Sequence, residues 1–402
     1  MKNVLVIAYY FPPSGGPGVQ RVLKHVQYLP HYGWNPIVLT VSNGDFPARD
    51  ESLLAKIPRG IHIERTRIYE PYALYRRLTG KQAQIPIDVN VLRTASQQRS
   101  LSERLAECIR ATLFIPDARI SWLCTAVPAG LRLIHKHRID AIYSSSPPYT
   151  ASLIARQLKR ASGIRWVAGF RDPWTEFLTT PRRWFLPAWI DRYLEHSVFR
   201  EADAVECAWE GIIKDIIRKF PDIPTAKLHH IPNGFDSTDY PQLDDASVCK
   251  NQPTHRFTIT YTGSMYGRRN PSSFLAAVER LIQRGTIHPE ALCLRFIGRF
   301  GADVQEIFSQ FRYPQALEVV GYVAHEESIR YLLRSDALLL IVDEAKESQD
   351  IVPGKVYEYI GAYRPIIAIA PTQGAIHDLL IETACGKTAQ QDDIEGIARI
   401  IE

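Results

Sequence analysis

The stretch Ile351-Val-Pro-Gly-Lys-Val-Tyr-Glu-Tyr-Ile-Gly-Ala-Tyr-Arg-Pro365 follows an apolar run at 337–342 and a polar loop. The apolar run predicts a buried strand of a parallel sheet, and the stretch predicts a helix start with Lys355 and Glu358 in its first turns. The N-terminal end of a helix suits an anionic ligand or a set of sugar hydroxyls. Lysine neutralises phosphate, and a carboxylate accepts hydrogen bonds from hydroxyls. Alternatively, Glu358 only completes a turn and Lys355 is solvated.

Length and composition indicate a globular protein of two domains. The chain has 402 residues, of which 46% are hydrophobic and 23% charged. This length is greater than the number of residues that normally fold around a single hydrophobic core. The six cysteines show no CxxC or metal-like spacing, which favours a reduced, metal-free cytoplasmic protein. No apolar run approaches the ~20 residues of a transmembrane helix. The apolar start is a first strand rather than a signal peptide, because it soon meets Pro12-Pro13.

Charge is divided unevenly along the chain. Residues 1–200 contain 28 Lys and Arg against 14 Asp and Glu, a net charge of +14, whereas residues 201–402 contain 20 against 29, a net charge of −9. A basic half predicts an anionic partner such as a membrane surface, a phosphate-bearing substrate or nucleic acid. Alternatively, the basic surface only aids solubility. Nucleic acid is disfavoured because the arginines form no run with stacking aromatics outside residues 182–200.

The segment Pro181–Arg200 combines five aromatic residues with four arginines. This composition resembles an interfacial segment that lies on anionic lipid. A helix that packs its apolar residues on its own domain explains the spacing equally well. The sequence therefore leaves both interpretations open.

Strand and helix patterns alternate along the chain. A first strand ends near Tyr10, and the glycine loop with Gly15 and Gly16 leads into helical spacing from Val19. Glycines there let the backbone approach an anionic group, although a tight connection also explains them. The loop lacks the GxGxxG spacing, and no acidic residue closes the second strand, which disfavours a dehydrogenase. The alternation predicts parallel sheets covered on both faces, with Pro365–Ala370 as the last strand.

Two further strand ends carry candidate ligand-binding residues. Asp172 follows the predicted strand Trp166–Phe170, and ligands bind at the carboxyl ends of open parallel sheets. Alternatively, Asp172 forms a turn with Arg171 as its ion-pair partner. Arg268 and Arg269 lie in a second glycine loop, where forked guanidinium donors suit phosphate oxygens unless the loop is a solvated turn.

A polar excursion and a linker interrupt the alternation. Residues 72–100 are polar and basic, without clear periodicity, and a helix is predicted at 101–114. Residues 237–255 are polar and contain prolines, which indicates an interdomain linker. The domains are therefore predicted at 1–236 and 256–402.

Six short segments together carry a resemblance. They are Phe11-Pro-Pro-x-x-Gly16, Tyr143-Ser-Ser-Ser-Pro-Pro, Phe170-Arg-Asp-Pro-Trp174, Ile231-Pro-Asn-Gly-Phe-Asp236, Tyr261-Thr-Gly263 and Lys355-x-x-Glu-Tyr-x-Gly-Ala-x-x-Pro365. Over essentially its full length the chain resembles the family 4 glycosyltransferases of the GT-B fold, in particular bacterial members that build surface polysaccharide on lipid-linked carriers.

The resemblance implies an α/β protein with two doubly wound Rossmann-like domains facing a central cleft. The N-terminal domain would hold the acceptor, and the C-terminal domain would hold the nucleotide-sugar donor. The implied reaction is a retaining transfer of a hexosyl or N-acetylhexosaminyl group from a nucleotide-diphosphate sugar to an acceptor hydroxyl. Neither a metal nor a cofactor is implied.

Residue by residue, the resemblance places Asp350 and Glu358 at the family's paired acidic positions, written E-x7-E. The first acid faces the donor sugar in the family and the second faces the ribose, and Asp350 is one methylene shorter than the usual glutamate. Lys355 matches a phosphate-facing position, and we count Gly354 beside it among the donor-binding residues. Asp172 falls where relatives place a polar residue near the reacting centre.

The glycine loops match the family's diphosphate-binding loops. Gly15 and Gly16 match the first-domain loop, and Gly263 begins the second. Many relatives follow this glycine with arginine and place a lysine six residues beyond it. Here Arg269 stands at the lysine position with Arg268 beside it, and Ser264 replaces the family's arginine.

The implied partners are a nucleotide sugar, a lipid-linked or glycan acceptor and an anionic membrane surface. The implied location is cytoplasmic, peripheral at the inner face of the cell membrane. Two alternatives stay open: a nucleotide-sugar 2-epimerase and a non-catalytic binder of anionic lipid on the same fold. The chain ends at Glu402 soon after a predicted helix, whereas relatives send a last helix back to the first domain.

Overall fold

The computed structural model describes residues 1–46, 48–69, 111–112, 114–177, 180, 183–240, 256–265, 269–342, 349 and 351–402. These residues form two compact units, of which the first ends at Pro232 and the second begins at Asn233. The site residues Arg268 and Asp350, the predicted excursion at 72–100 and most of the predicted helix at 101–114 lie outside the described residues.

The first unit is built on a parallel sheet. Its strands are β1 (Lys2–Ala8), β2 (Trp34–Val41), β3 (His62–Thr66), β4 (Ala141–Ser146), β5 (Arg165–Phe170), β6 (Ala204–Cys207) and β7 (Leu228–His230). They lie in the order β3-β2-β1-β4-β5-β6-β7, and each neighbouring pair is parallel. The chain moves outward from β1 and then returns to β4 on its other side. The carboxyl ends of β1 and β4 therefore form the switch point at which open sheets bind ligands.

The helices that the structure describes in the first unit cover this sheet. They are α1 (Pro17–Tyr28), α2 (Leu123–His137), α3 (Thr150–Ser162), α4 (Phe185–Glu201) and α5 (Glu210–Lys219). In α1 the apolar residues recur at helical spacing, and Val19, Val22, Leu23 and Val26 are all fully buried. The predicted order of strand, glycine loop and helix is therefore present at the start of the chain.

The second unit repeats this plan. Its strands are β8 (Phe257–Thr262), β9 (Leu292–Ile297), β10 (Leu317–Val320), β11 (Ala337–Ile341), β12 (Ile366–Ile369) and β13 (Gly386–Ala389). Its helices are α6 (Ser272–Gln283), α7 (Ala302–Gln310), α8 (His325–Leu333), α9 (Lys355–Gly361), α10 (Ala375–Glu382) and α11 (Ile394–Ile401). The sheet order β10-β9-β8-β11-β12-β13 places the switch point between β8 and β11.

Strand β11 shows why the apolar run at 337–342 predicts a sheet covered on both faces. Leu339 and Ile341 belong to one buried cluster, whereas Leu338 and Leu340 belong to another. Successive side chains of a strand point to opposite faces, so helices must cover both sides. The predicted α/β class with two doubly wound sheets is confirmed.

Two short edge strands differ from the sequence prediction. Pro365–Ala370 is not the last strand, because β13 pairs beyond it with Gly386 opposite Ile366. Strand β7 was likewise not predicted, and it pairs with β6. Both strands lack an apolar run, since an edge strand has fewer apolar neighbours to contact. Among the described residues, no helix has both the length and the apolar character needed to cross a membrane.

Candidate active site

The ammonium of Lys355 is held at the carboxyl end of β8. Its Nζ donates hydrogen bonds to Tyr261 Oη and to the Thr262 carbonyl oxygen, each 2.8 Å long. The same Nζ lies 4.1 Å from the centroid of the Tyr261 ring. The aromatic face and the two oxygens thus fix the cation at the switch point of the second sheet.

Two glycines shape the backbone beside this cation. Gly263 has a positive φ of 111°, and its N–H donates to the Ile297 carbonyl oxygen at 2.8 Å. Gly298, with φ 141°, follows β9, and a Cβ there would overlap the carbonyl of Gly263. The ends of β8 and β9 therefore pack backbone against backbone. Because neither glycine has a side chain, a ligand can approach this backbone closely.

The electrostatics of the site are unbalanced toward positive charge. Burial lowers the pKa of Lys355 well below its ordinary value, nearby Arg269 lowers this pKa further, and Glu358 opposes the shift. Arg269 Nε is buried and has no hydrogen-bond partner among the described residues. A diphosphate would supply the missing acceptor and relieve the repulsion between the two cations.

Glu358 is oriented by a histidine from another helix. Its Oε1 lies 2.9 Å from Nε2 of His325, the first residue of α8, and the carboxylate is partly exposed. The backbone carbonyl of Glu358 accepts a hydrogen bond of 2.8 Å from Tyr240 Oη. The carboxylate is therefore held in place yet accessible, as an acceptor for ligand hydroxyls must be.

Helix α9 is fastened to β8 by a second side chain. Tyr359 is fully buried, and its Oη accepts hydrogen bonds from the Thr262 backbone N–H at 2.9 Å and from Thr262 Oγ1 at 3.3 Å. Lys355 and Tyr359 lie one turn apart and hold the same strand end. The helix has seven residues, so side chains rather than a long macrodipole set the charge of the site. Gly354 precedes the helix, is exposed, and has room for a Cβ.

The two predicted glycines of the first unit's loop have different surroundings. The N–H of Gly15 donates to the Ala48 carbonyl oxygen at 2.9 Å. Gly16 caps α1 with φ 93°, and a Cβ there would have nothing within 4 Å. Of the two, Gly16 faces open space and Gly15 holds the loop.

Arg171 and Asp172 have different surroundings at the end of β5. Arg171 donates to Ser145 Oγ at 2.8 Å, to the Gly18 carbonyl oxygen at 3.2 Å and to the Pro147 carbonyl oxygen. It thereby ties together the segments that follow β1 and β4. No described residue donates a hydrogen bond to the Asp172 carboxylate, whose pKa is raised by burial and lowered by Arg171. Asp172 is thus the available polar group at this strand end.

The second unit brings Gly263, Arg269, Lys355 and Glu358 to one edge of its sheet. The positions of Arg268 and Asp350 lie outside the described residues. Sequence reasoning missed His325 and Gly298. A glycine directly after the apolar run at 292–297 was a usable signal for Gly298, whereas nothing local marks a histidine 33 residues before its glutamate.

The predicted resemblance to family 4 glycosyltransferases is confirmed. Residues 76–239 match the family model described as Glycosyltransferase Family 4. No sequence among curated proteins matches the chain. The bacterial surface-polysaccharide type stays a prediction.

Solved structures share the fold across the whole chain. Sucrose-phosphate synthase from Thermosynechococcus elongatus is 13% identical, with a TM-score of 0.63, and the match covers 100% of this chain and 89% of that one. Anabaena HepE, solved with UDP and glucose, is 14% identical, with a TM-score of 0.60 and coverage of 100% and 89%. A mutant of S. aureus TarM, solved with UDP among other ligands, is 9% identical, with a TM-score of 0.60 and coverage of 100% and 92%. These likenesses establish the predicted GT-B fold.

Proposed function

We propose that this chain, with its family 4 glycosyltransferase match, transfers a sugar from a nucleotide-diphosphate donor to an acceptor hydroxyl. The observation that carries the proposal is the ammonium of Lys355, held at the end of β8 beside Gly263 and near Arg269. Two cations at a strand end suit a diphosphate, and Glu358 one turn further along suits the ribose hydroxyls. The transferred group is a hexosyl or N-acetylhexosaminyl residue.

The cations would act on the leaving group. When the bond between sugar and diphosphate breaks, negative charge develops on the leaving phosphate oxygen. Lys355 and Arg269 stabilise this charge because they are positioned before the reaction begins. Bound diphosphate also raises the pKa of Lys355, so the lysine meets the transition state as a cation.

Retention of configuration follows if the acceptor attacks from the face that the diphosphate leaves. The leaving phosphate oxygen then takes the proton of the acceptor hydroxyl while the new glycosidic bond forms. Positive charge on the sugar ring is met by nearby acceptors, a role that we assign to Asp350. In the first unit we assign Gly16 to the donor diphosphate and Asp172 to the reacting hydroxyls. No step in this scheme needs a metal or a cofactor.

The nucleotide would be recognised through its ribose. Glu358 accepts hydrogen bonds from the ribose hydroxyls, and His325 keeps the carboxylate in position. UDP is the first ligand to test, because UDP was bound in the HepE and TarM structures. The acceptor is proposed to be a lipid-linked glycan of surface polysaccharide synthesis, which would place the protein at the inner face of the cell membrane.

A ligand screen followed by product analysis tests the proposal. UDP, GDP and ADP are titrated calorimetrically, and the matching nucleotide sugars are then supplied with and without glycan acceptors. We expect one nucleoside diphosphate to bind, Lys355→Ala to lose that binding, and Lys387→Ala, at an exposed lysine of β13, to keep it. The product linkage, measured by NMR, should retain the donor configuration.

Three results would overturn the proposal. Conversion of the nucleotide sugar into its 2-epimer without an acceptor would identify the protein as a 2-epimerase instead. Absence of binding by all three nucleotides would leave a non-catalytic protein on this fold. Equal donor consumption by Lys355→Ala and the wild type would remove the role of the lysine.

A further inference from the structure

Helix α4 presents three aromatic side chains to solvent and two acids to the interior. Phe185, Trp189 and Tyr193 are 81%, 59% and 54% exposed, whereas Asp191 and Glu195 are each 1% exposed. This is the reverse of an ordinary surface helix, which buries apolar residues and exposes charges. The interpretation that the apolar residues of this segment pack on their own domain is therefore wrong for these three.

The buried acids are neutralised inside the first unit. Asp191 forms a buried ion pair with Arg183 at 2.9 Å and accepts from Trp174 Nε1 at 2.8 Å. Glu195 lies 3.6 Å from the buried ammonium of Lys219 and accepts hydrogen bonds from Thr175. These partners hold the helix in this orientation, since exposing the two acids would separate the buried Arg183 from its carboxylate and break the hydrogen bonds of Trp174 and Thr175.

The exposed face of α4 forms one continuous stripe. Phe185, Trp189, Arg192, Tyr193 and Arg200 lie within about 100° of each other around the helix, given 3.6 residues per turn. The rings of Trp189 and Tyr193 stack with centroids 5.9 Å apart and planes 17° apart. Exposed aromatic patches of this kind mark interaction surfaces rather than ordinary surface.

The charged side chains on the stripe itself are all positive. Arg192 and Arg200 are exposed, and the helix has no exposed acid between residues 185 and 200. Glu176 is shared by Arg192 at 3.2 Å and by Arg218 at 2.9 Å, and Arg218 also pairs with Asp215 at 2.7 Å, so the charges beside the stripe are balanced. Asp222 pairs with His196 at 2.7 Å. The first 200 residues carry a net charge of +14, from 28 basic and 14 acidic residues.

We infer that this stripe is a docking surface for an anionic lipid bilayer. Tryptophan and tyrosine have an apolar body and a polar edge that suit the boundary between acyl chains and headgroups. Arginines on the same face attract anionic headgroups while their alkyl stems stay at the boundary. The inference deepens the membrane location that the proposed function includes, because it names the surface, and it is argued from the residues of the stripe alone.

Vesicle binding by the full chain tests the inference. The probes are vesicles of phosphatidylglycerol mixed with phosphatidylcholine and vesicles of phosphatidylcholine alone. We expect sedimentation with the anionic vesicles, weakening at raised salt, and a blue shift of tryptophan emission. Phe185→Ser with Trp189→Ser should lower the partition coefficient at least tenfold. Arg192→Gln and Arg200→Gln should each lower it about fivefold, on anionic vesicles only.

Matched substitutions outside the stripe serve as controls. Tyr32→Ser and Arg132→Gln remove an exposed aromatic ring and an exposed arginine of the same unit, and they should leave vesicle binding unchanged. The shift in melting temperature caused by UDP should be equal in all variants, which separates lipid docking from the proposed function.

Three outcomes would overturn the inference. The first is absence of wild-type binding to anionic vesicles. The second is unchanged vesicle binding by the double aromatic variant. The third is self-association that this variant abolishes while vesicle binding is absent, because that result would assign the stripe to a second copy of the chain.

Discussion

The ammonium of Lys355 lies 2.8 Å from the point that a Cβ of Gly263 would occupy. Gly263 also has φ 111°, a conformation that residues with a Cβ rarely adopt. The glycine thus has two separable roles. It permits the backbone turn at the end of β8, and it leaves room for the cation.

Substitution of Gly263 by alanine separates these roles when it is compared with Gly285→Ala. Gly285 also has a positive φ, 74°, but open space around its missing Cβ. Both variants should lose about 1–2 kcal/mol of unfolding free energy, because each forces alanine into a left-handed conformation. Only Gly263→Ala should weaken UDP binding, by about tenfold or more, because Lys355 must move. Denaturant unfolding and calorimetric titration check this, and equal UDP affinity in the two variants would contradict it.

UDP binding should be accompanied by proton uptake at Lys355. Burial lowers the pKa of the free lysine, and bound diphosphate raises it again, so the complex holds more protons between these two pKa values. Affinity should therefore fall as pH rises above the lowered pKa, by up to about tenfold per pH unit. Calorimetry in two buffers of different ionisation enthalpy measures the uptake. Lys355→Arg keeps the charge but does not titrate, so persistent uptake in this variant would contradict the assignment.

Glu358→Gln should weaken UDP binding about tenfold to a hundredfold, since hydrogen bonds to a charged group contribute about 1.5–3 kcal/mol. His325→Gln should cause a smaller loss of about threefold, because it releases the carboxylate without removing it. Inorganic pyrophosphate lacks ribose, so its affinity should change little in either variant. Lys355→Ala, in contrast, should weaken the binding of both UDP and pyrophosphate. If Glu358→Gln weakens pyrophosphate binding as much as UDP binding, Glu358 does not contact the ribose.

Asp172→Ala should lower the transfer rate modestly, by less than about tenfold, and Lys355→Ala should lower it at least about a hundredfold. The reason is that Lys355 would stabilise the charge of the leaving group, whereas Asp172 would only position reacting hydroxyls. Donor consumption with a glycan acceptor measures both rates. UDP affinity should be unchanged in Asp172→Ala, and a loss of UDP affinity there would place Asp172 at the nucleotide.

Local patterns predicted most of the architecture because they depend on neighbours in the chain. The run at 337–342 is apolar at every position, as a strand covered on both faces requires. The predicted domain boundaries, and a linker at 237–255, stay predictions. The positions of Lys355 and Glu358 near a strand end followed from the order of elements and from the family resemblance. The short edge strands β7 and β13 were not predicted because they contain no apolar run.

The sequence by itself thus determined the α/β class, the two glycine loops and the candidates for anion binding. Tertiary structure alone decided which side chains meet. His325 reaches Glu358 across 33 residues of sequence, and Gly298 is needed because another backbone lies against it. In α4, Asp191 and Glu195 turn inward because Arg183 and Lys219 receive them. Whether a charge is buried depends on a partner from elsewhere in the fold, and the spacing of residues along one helix does not reveal that partner.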